Sequence, residues 1–119
     1  MTQATDVRRW SPDDLKRRLD AGEPFVLLDV REVDERQYCA IPVPPSVPDL
    51  HVPIGEIPDH VDTLRQAIGD RPLVIYCHHG VRSLATARWL ADRGLSLVIN
   101  LEGGIDAWSL MVDPTVPRY

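Results

Sequence analysis

The sequence predicts an α/β fold: a central, mostly parallel sheet of about five short strands with helices on both faces. Two runs, residues 25–30 and Leu73–Tyr76, are apolar without alternation apart from Asp29. That is how a strand buried on both faces of a parallel sheet reads. Segments of helical periodicity separate such runs along the chain. The 119 residues, 44% hydrophobic and 26% charged, suffice for one core with no disulfide or metal staple. The expectation is a single domain over residues 1–119, with its core at about 7–108.

Residues 7–10 read as a short first strand. Ser11-Pro12-Asp13-Asp14 opens a helix. Ser11 is a good N-cap, Pro12 suits the first helical position and the aspartates suit the dipole. Leu15 and Leu19 share one face, and Ala21-Gly22 ends the helix. Residues 25–30 form the second strand, and residues 32–39 a short helix. Residues 41–53 contain five prolines, which excludes a regular element over most of that stretch. They predict an irregular surface segment with a short strand near His51-Val52. Residues 58–68 read as a helix burying Val61, Leu64 and Ile68. After the strand Leu73–Tyr76, residues 83–93 form a helix with Leu84, Ala87, Trp89, Leu90 and Ala91 at its apolar positions, stopped by Gly94. Residues 97–100 are another strand. Gly103-Gly104 is a turn before a short helix through Trp108. Residues 109–119, with two prolines, read as an extended surface tail.

The net charge of -5 argues against a nucleic-acid partner and against binding an anionic membrane. It leaves room for a small anionic substrate, because a local field can oppose the global charge. Two cysteines, Cys39 and Cys77, do not make a disulfide scaffold. No run approaches the roughly 18 apolar residues of a membrane span. The first twenty residues alternate acidic and basic side chains without an apolar signal region. A cytoplasmic protein with reduced thiols is the simplest expectation.

The chemistry concentrates in Tyr76-Cys77-His78-His79-Gly80-Val81-Arg82-Ser83. A cysteine follows a buried strand directly, and a helix begins shortly after it. Gly80 permits an unusual backbone angle in between. Such a loop can curl its N–H groups inward, and the helix start adds unpaired donors and a positive dipole end. The result is an anion cradle that would stabilise a thiolate at its centre. Arg82 is expected to add a fixed positive charge.

These residues resemble the rhodanese family. Cys77-His78-His79-Gly80-Val81-Arg82-Ser83 is similar to its Cys-x-x-Gly-x-Arg-Ser/Thr loop. Leu28-Asp29-Val30-Arg31-Glu32 is similar to its Asp-Val-Arg-Glu strand end, and Gly103-Gly104-Ile105-Asp106-Ala107-Trp108 to its Gly-Gly-x-x-Ala-Trp element. The resemblance spans residues 7–108 and implies a sulfurtransferase. Cys77 would take sulfane sulfur from a donor such as thiosulfate, hold it as a persulfide within the amides of residues 78–83, and pass it to a thiol or cyanide acceptor. Phosphate-hydrolysing relatives have one residue more between cysteine and arginine than the four here, His78, His79, Gly80 and Val81. A small phosphatase or arsenate reductase therefore ranks below sulfur transfer. A non-catalytic interaction or regulatory module on the same fold is the second reading.

The other candidates carry less. Asp29 and Arg31 sit at a strand's carboxyl end beside the presumed site, where the resemblance implies that they brace the loop. Glu102 is a weaker candidate for the same role. Three adjacent residues, Cys77, His78 and His79, do not converge on one tetrahedral ion, so no metal and no cofactor is expected. The histidines would line the pocket mouth, where an imidazole adds charge below about pH 6.5 and favours an anionic donor. Cys39 has no cradle and reads as a structural thiol, and Trp10, Trp89 and Trp108 as packing. Where the family carries His-Ile-Pro-Gly-Ala, this chain reads Ala40-Ile41-Pro42-Val43-Pro44-Pro45-Ser46. About five extra residues precede Val52-Pro53, so the insertion within 42–53 is expected to reshape the pocket rim. The tail is similar to that of rhodanese domains found alone or fused to adenylating enzymes, which implies a sulfur-carrier or adenylating partner.

Overall fold

The computed structural model describes residues 7–119. The first six of the twenty residues read for charge alternation lie outside them. Among the described residues are strands β1 (Arg8–Trp10), β2 (Val26–Asp29), β3 (Asp49–His51), β4 (Leu73–Tyr76) and β5 (Val98–Leu101). The helices are α1 (Pro12–Asp20), α2 (Val33–Tyr38), α3 (Val61–Ile68), α4 (Val81–Asp92) and α5 (Gly104–Met111). The five strands form one sheet in the order β1-β5-β4-β2-β3, and every pairing is parallel.

Alternation along the strands divides the core. Leu27, Val74, Tyr76, Ile99 and Leu101 point to the face covered by Leu15 of α1 and by Ile105 and Trp108 of α5. Val26, Leu28, Leu73, Ile75 and Val98 point to the face covered by Leu64 and Ile68 of α3 and by Ala87 and Leu90 of α4. Both faces of the inner strands are thus buried, which is why those strands are apolar at consecutive positions. No helix among the described residues is long and apolar enough to cross a membrane.

The start of α1 follows its sequence signals. Ser11 Oγ accepts from Asp14 N at 3.1 Å, and Asp14 Oδ2 accepts from Ser11 N at 3.0 Å. This reciprocal pair satisfies two otherwise free amides. Three expectations are corrected. The helix expected from residue 58 begins as a 3-10 segment, Ile54–His60, and becomes α-helical only at Val61. Pro58 lacks the N–H that an α-helical ladder would need there. α4 starts at Val81, two residues early, because Gly80 adopts φ +96° and ends the loop at once. The tail is not extended: α5 runs on through Met111, and the chain then turns back, with Val116 N bonded to Asp113 O at 3.1 Å. Val116 is 6% exposed, packed in the apolar cluster of Trp10 and Trp108, and Arg118 pairs with Asp106.

Candidate active site

Cys77 follows β4, and the alternation that turns Leu73 and Ile75 toward α4 turns its side chain the same way. The residue is 1% exposed, yet its sulfur does not sit among hydrocarbon alone. Gly80 N donates to Sγ at 3.1 Å and Ser83 N at 3.4 Å, with Ser83 Oγ at 3.3 Å. These donors come from the N-cap and first turn of α4, a turn without an acidic residue. The positive end of the helix dipole therefore faces the sulfur with no carboxylate on that turn to oppose it. Two of the amides expected to turn inward reach the sulfur itself.

Two further elements hold the loop. Asn100 of β5 faces α4, where its Oδ1 accepts from Ser83 Oγ at 2.6 Å and its Nδ2 donates to Gly80 O at 3.3 Å. The start of α5 points its free amides at the loop: Ile105 N donates to Cys77 O at 2.9 Å and Asp106 N to His78 O at 3.1 Å. This approach requires glycine at 104, because a Cβ there would strike both carbonyl oxygens. The carbonyls of Cys77 and His78 are thus turned to α5, while the amides of Gly80 and Ser83 are turned to the sulfur.

Arg82 is held in place by a two-pronged ion pair with Glu35 of α2, at 2.7 and 2.9 Å. The Arg82 hydrogen bonds hold the Glu35 carboxyl down at about 2, and Glu35 in turn raises the Arg82 guanidinium. Glu35 also accepts from Glu32 N at 2.9 Å and from the Tyr119 hydroxyl at 2.7 Å. The pair fastens the first turn of α4 to α2. The groups within reach of Cys77 Sγ itself are Gly80 N, Ser83 N and Ser83 Oγ.

Asp29 and Arg31 are both fully buried and bonded to each other at 2.7 and 2.9 Å. Arg31 also donates to Cys39 O at 2.7 Å, to Glu35 O at 3.3 Å and to the Tyr119 hydroxyl at 3.0 Å. Burial opposes the Arg31 charge, but the bonds with Asp29 and Tyr119 outweigh it and raise its pKa. The pair braces α2 and the tail, and Asp29 lies in register with Tyr76, the residue before Cys77. Glu102 does not brace the loop: its side chain is 52% exposed and lies 4.0 Å from Arg9. Trp10 and Trp108 are buried, and Trp89 packs beneath Arg93.

The rings of His78 and His79 are 3.8 Å apart, with His79 exposed near Asp106. Burial, and then His79, push the His78 imidazole below its ordinary 6.5. Charge therefore reaches His78 only in more acid solution than its ordinary value implies. Cys39 ends α2, with Sγ 3.5 Å from Pro117 O and 3.9 Å from Arg31 Nη1. Among the residues of the site, sequence reasoning did not single out Asn100, Glu35 or Tyr119. A polar residue inside the buried run Val98-Ile99-Asn100-Leu101 was the one available signal, and it pointed to Asn100.

Comparison with known proteins agrees with this geometry. Residues 11–111 match the model of the rhodanese-like domain. A sulfurtransferase of Allochromatium vinosum is 35% identical over 105 residues, covering 87% of this chain and 89% of that protein. The adenylyltransferase and sulfurtransferase MOCS3-1 of Zea mays is 32% identical over 104 residues, and this chain spans only 22% of it. The crystal structure of a rhodanese-like domain protein from Staphylococcus aureus superposes with a TM-score of 0.75 at 26% identity, covering 95% of this chain and 99% of that one. With a cysteine-bearing loop at the carboxyl edge of an all-parallel sheet and a family match over most of its length, this chain belongs to the rhodanese-like domain family.

Proposed function

We propose that the protein transfers sulfane sulfur through a persulfide on Cys77. The observation that carries this reading is the pair of amides, Gly80 N and Ser83 N, aimed at Sγ from the start of α4. In the first step the Cys77 thiolate attacks the outer sulfur of thiosulfate. A new S–S bond forms, the bond to the inner sulfur breaks, and sulfite leaves with the electron pair. In the second step cyanide or an acceptor thiolate attacks the outer sulfur, and Cys77 departs as the thiolate. No net oxidation or reduction occurs over the cycle, and the two half-reactions give ping-pong kinetics.

The negative charge that moves onto the outer sulfur needs donors fixed beforehand, the arrangement that costs no reorganisation during reaction. The loop amides of residues 78–83 supply them. Four residues between Cys77 and Arg82 make a ring sized for one extra sulfur more than for a tetrahedral phosphate. The Arg82–Glu35 pair also removes the free guanidinium that a phosphate would use. Both features favour sulfur over phosphoryl chemistry. The sulfur-transfer relatives joined to adenylyl transfer suggest that the natural acceptor or donor is a sulfur-carrier or adenylating protein.

Treatment with thiosulfate should add the mass of one sulfur atom to the intact protein, and a thiol reductant should remove it. Thiosulfate with cyanide should yield thiocyanate. Cys77→Ser should abolish both signals while Cys39→Ser keeps them. A Cys77→Ser protein that still produces thiocyanate would end this proposal.

A further inference from the structure

The tail ends beside the loop that carries the buried Cys77. Tyr119 stacks its ring on His78, with centroids 3.8 Å apart and planes inclined by 7°. Its hydroxyl donates to Glu35 Oε2 and accepts from Arg31 Nη1. Tyr38 of α2 meets the same ring edge-on at 5.8 Å. One side chain therefore spans from the residue after Cys77 to the carboxylate that holds Arg82, linking the two ends of the loop. The groove on the other flank of the loop, lined by Arg9, His79, Gly80, Val81 and Leu84, does not reach Cys77.

This cover is held by side chains. Val116 is the last tail residue whose amide bonds to the main chain among the described residues. Beyond it the anchors are the Arg118–Asp106 ion pair, Cys39 Sγ on Pro117 O, and Tyr119 itself, which stays 43% exposed. Few buried contacts and no backbone ladder are the marks of a segment that opens locally.

We propose that Tyr119 is the specificity-determining residue on the approach to Cys77, a movable wall that passes small reagents and excludes bulky ones until the tail swings away. It deepens the sulfur-transfer reading by assigning direct access to small anionic donors, whereas a protein acceptor must first displace the tail. Opening exchanges the stack on His78 and the hydroxyl bonds for water, so the selection is by size and not by charge.

Alkylation of the full chain tests this without relying on sulfur transfer. Iodoacetamide and an iodoacetamide bearing a naphthalene group share one reactive centre and differ in bulk. The reactions are run in a Cys39→Ser background, because alkylation of Cys39 would itself disturb the tail it holds through Pro117 O, and modification at Cys77 is read by peptide mass. Relative to free cysteine, the native protein should react about tenfold more slowly with the bulky reagent than with the small one, equivalent to about 1.4 kcal/mol. Tyr119→Ala should bring that ratio to near the free-thiol value. Tyr119→Phe, which keeps the ring and its stack, should retain most of the discrimination. A native protein that does not discriminate, or a Tyr119→Ala protein with the native ratio, overturns the proposal. So does an equal change in both rates, which would mean that Tyr119 acts on thiol ionisation and not on passage. Failure to form a persulfide from thiosulfate would defeat the sulfur-transfer reading and leave this ratio unaffected.

Discussion

Ser83 has one hydroxyl hydrogen and two acceptors, Asn100 Oδ1 at 2.6 Å and Cys77 Sγ at 3.3 Å. The nearer one takes it while the sulfur carries its own proton. An ionised or persulfidic sulfur competes for it, at the cost of the Asn100 bond. Ser83→Ala removes that choice and leaves an Asn100 acceptor unpaired. The bond to a charged sulfur, less the Asn100 bond given up for it, nets about 1 kcal/mol, so kcat/KM for thiosulfate should fall about threefold to tenfold, read from initial rates of thiocyanate formation. Unchanged kinetics would assign the whole task to the two amides. Asp29→Asn should cost about 3–5 kcal/mol in urea unfolding, because it strands the fully buried Arg31 charge. Cys77 and its loop were legible because a thiol, a glycine and an arginine at that spacing have few other uses. Glu35 was not, because an acid in the first turn of a helix looks the same whether it serves the dipole or holds a distant arginine.

At the scale of elements, the contact between α5 and the loop is the tightest constraint on the site. Gly104→Ala should destabilise the protein by about 1–3 kcal/mol through a left-handed backbone and a collision with the carbonyls of Cys77 and His78. Denaturant melts would record the loss, and a melt like that of the native protein would show that α5 can move aside. Strands β2 and β4 were readable to within a residue or so at each end, since burial on both faces leaves an uninterrupted apolar run. The starts of α3 and α4 were not. One depends on how far a 3-10 segment persists around Pro58, the other on a left-handed turn at Gly80. The tail was misread for a different reason. Its course is set by Val116 against the core, Arg118 on Asp106 and Tyr119 on α2, partners far away in sequence that periodicity cannot register.

Across the whole molecule, β2, α2, the loop and the tail are bound into one polar network by Asp29, Arg31, Glu35, Arg82 and Tyr119. Burial pushes the Tyr119 hydroxyl up to about 12, so it keeps its proton and continues to donate to Glu35 at ordinary pH. Glu35 titrates at about 2 when folded, below its ordinary 4.5. Its contribution is therefore complete above pH 4.5 and drains away as the pH falls toward 2. Urea midpoints should drop over that interval, and Glu35→Gln should show a smaller drop, having lost the contribution at every pH. A variant with the same acid slope as the native protein would place the sensitivity elsewhere. The docking of α5 on the loop carbonyls also bears on how readily this scaffold could be re-engineered. Lengthening the segment after Cys77 by one residue would shift the oxygens that Ile105 and Asp106 now grip. A graft of a larger catalytic ring would thus fail unless the turn at Gly103-Gly104 were redesigned with it, so new chemistry here calls for coordinated changes in two segments far apart in the chain.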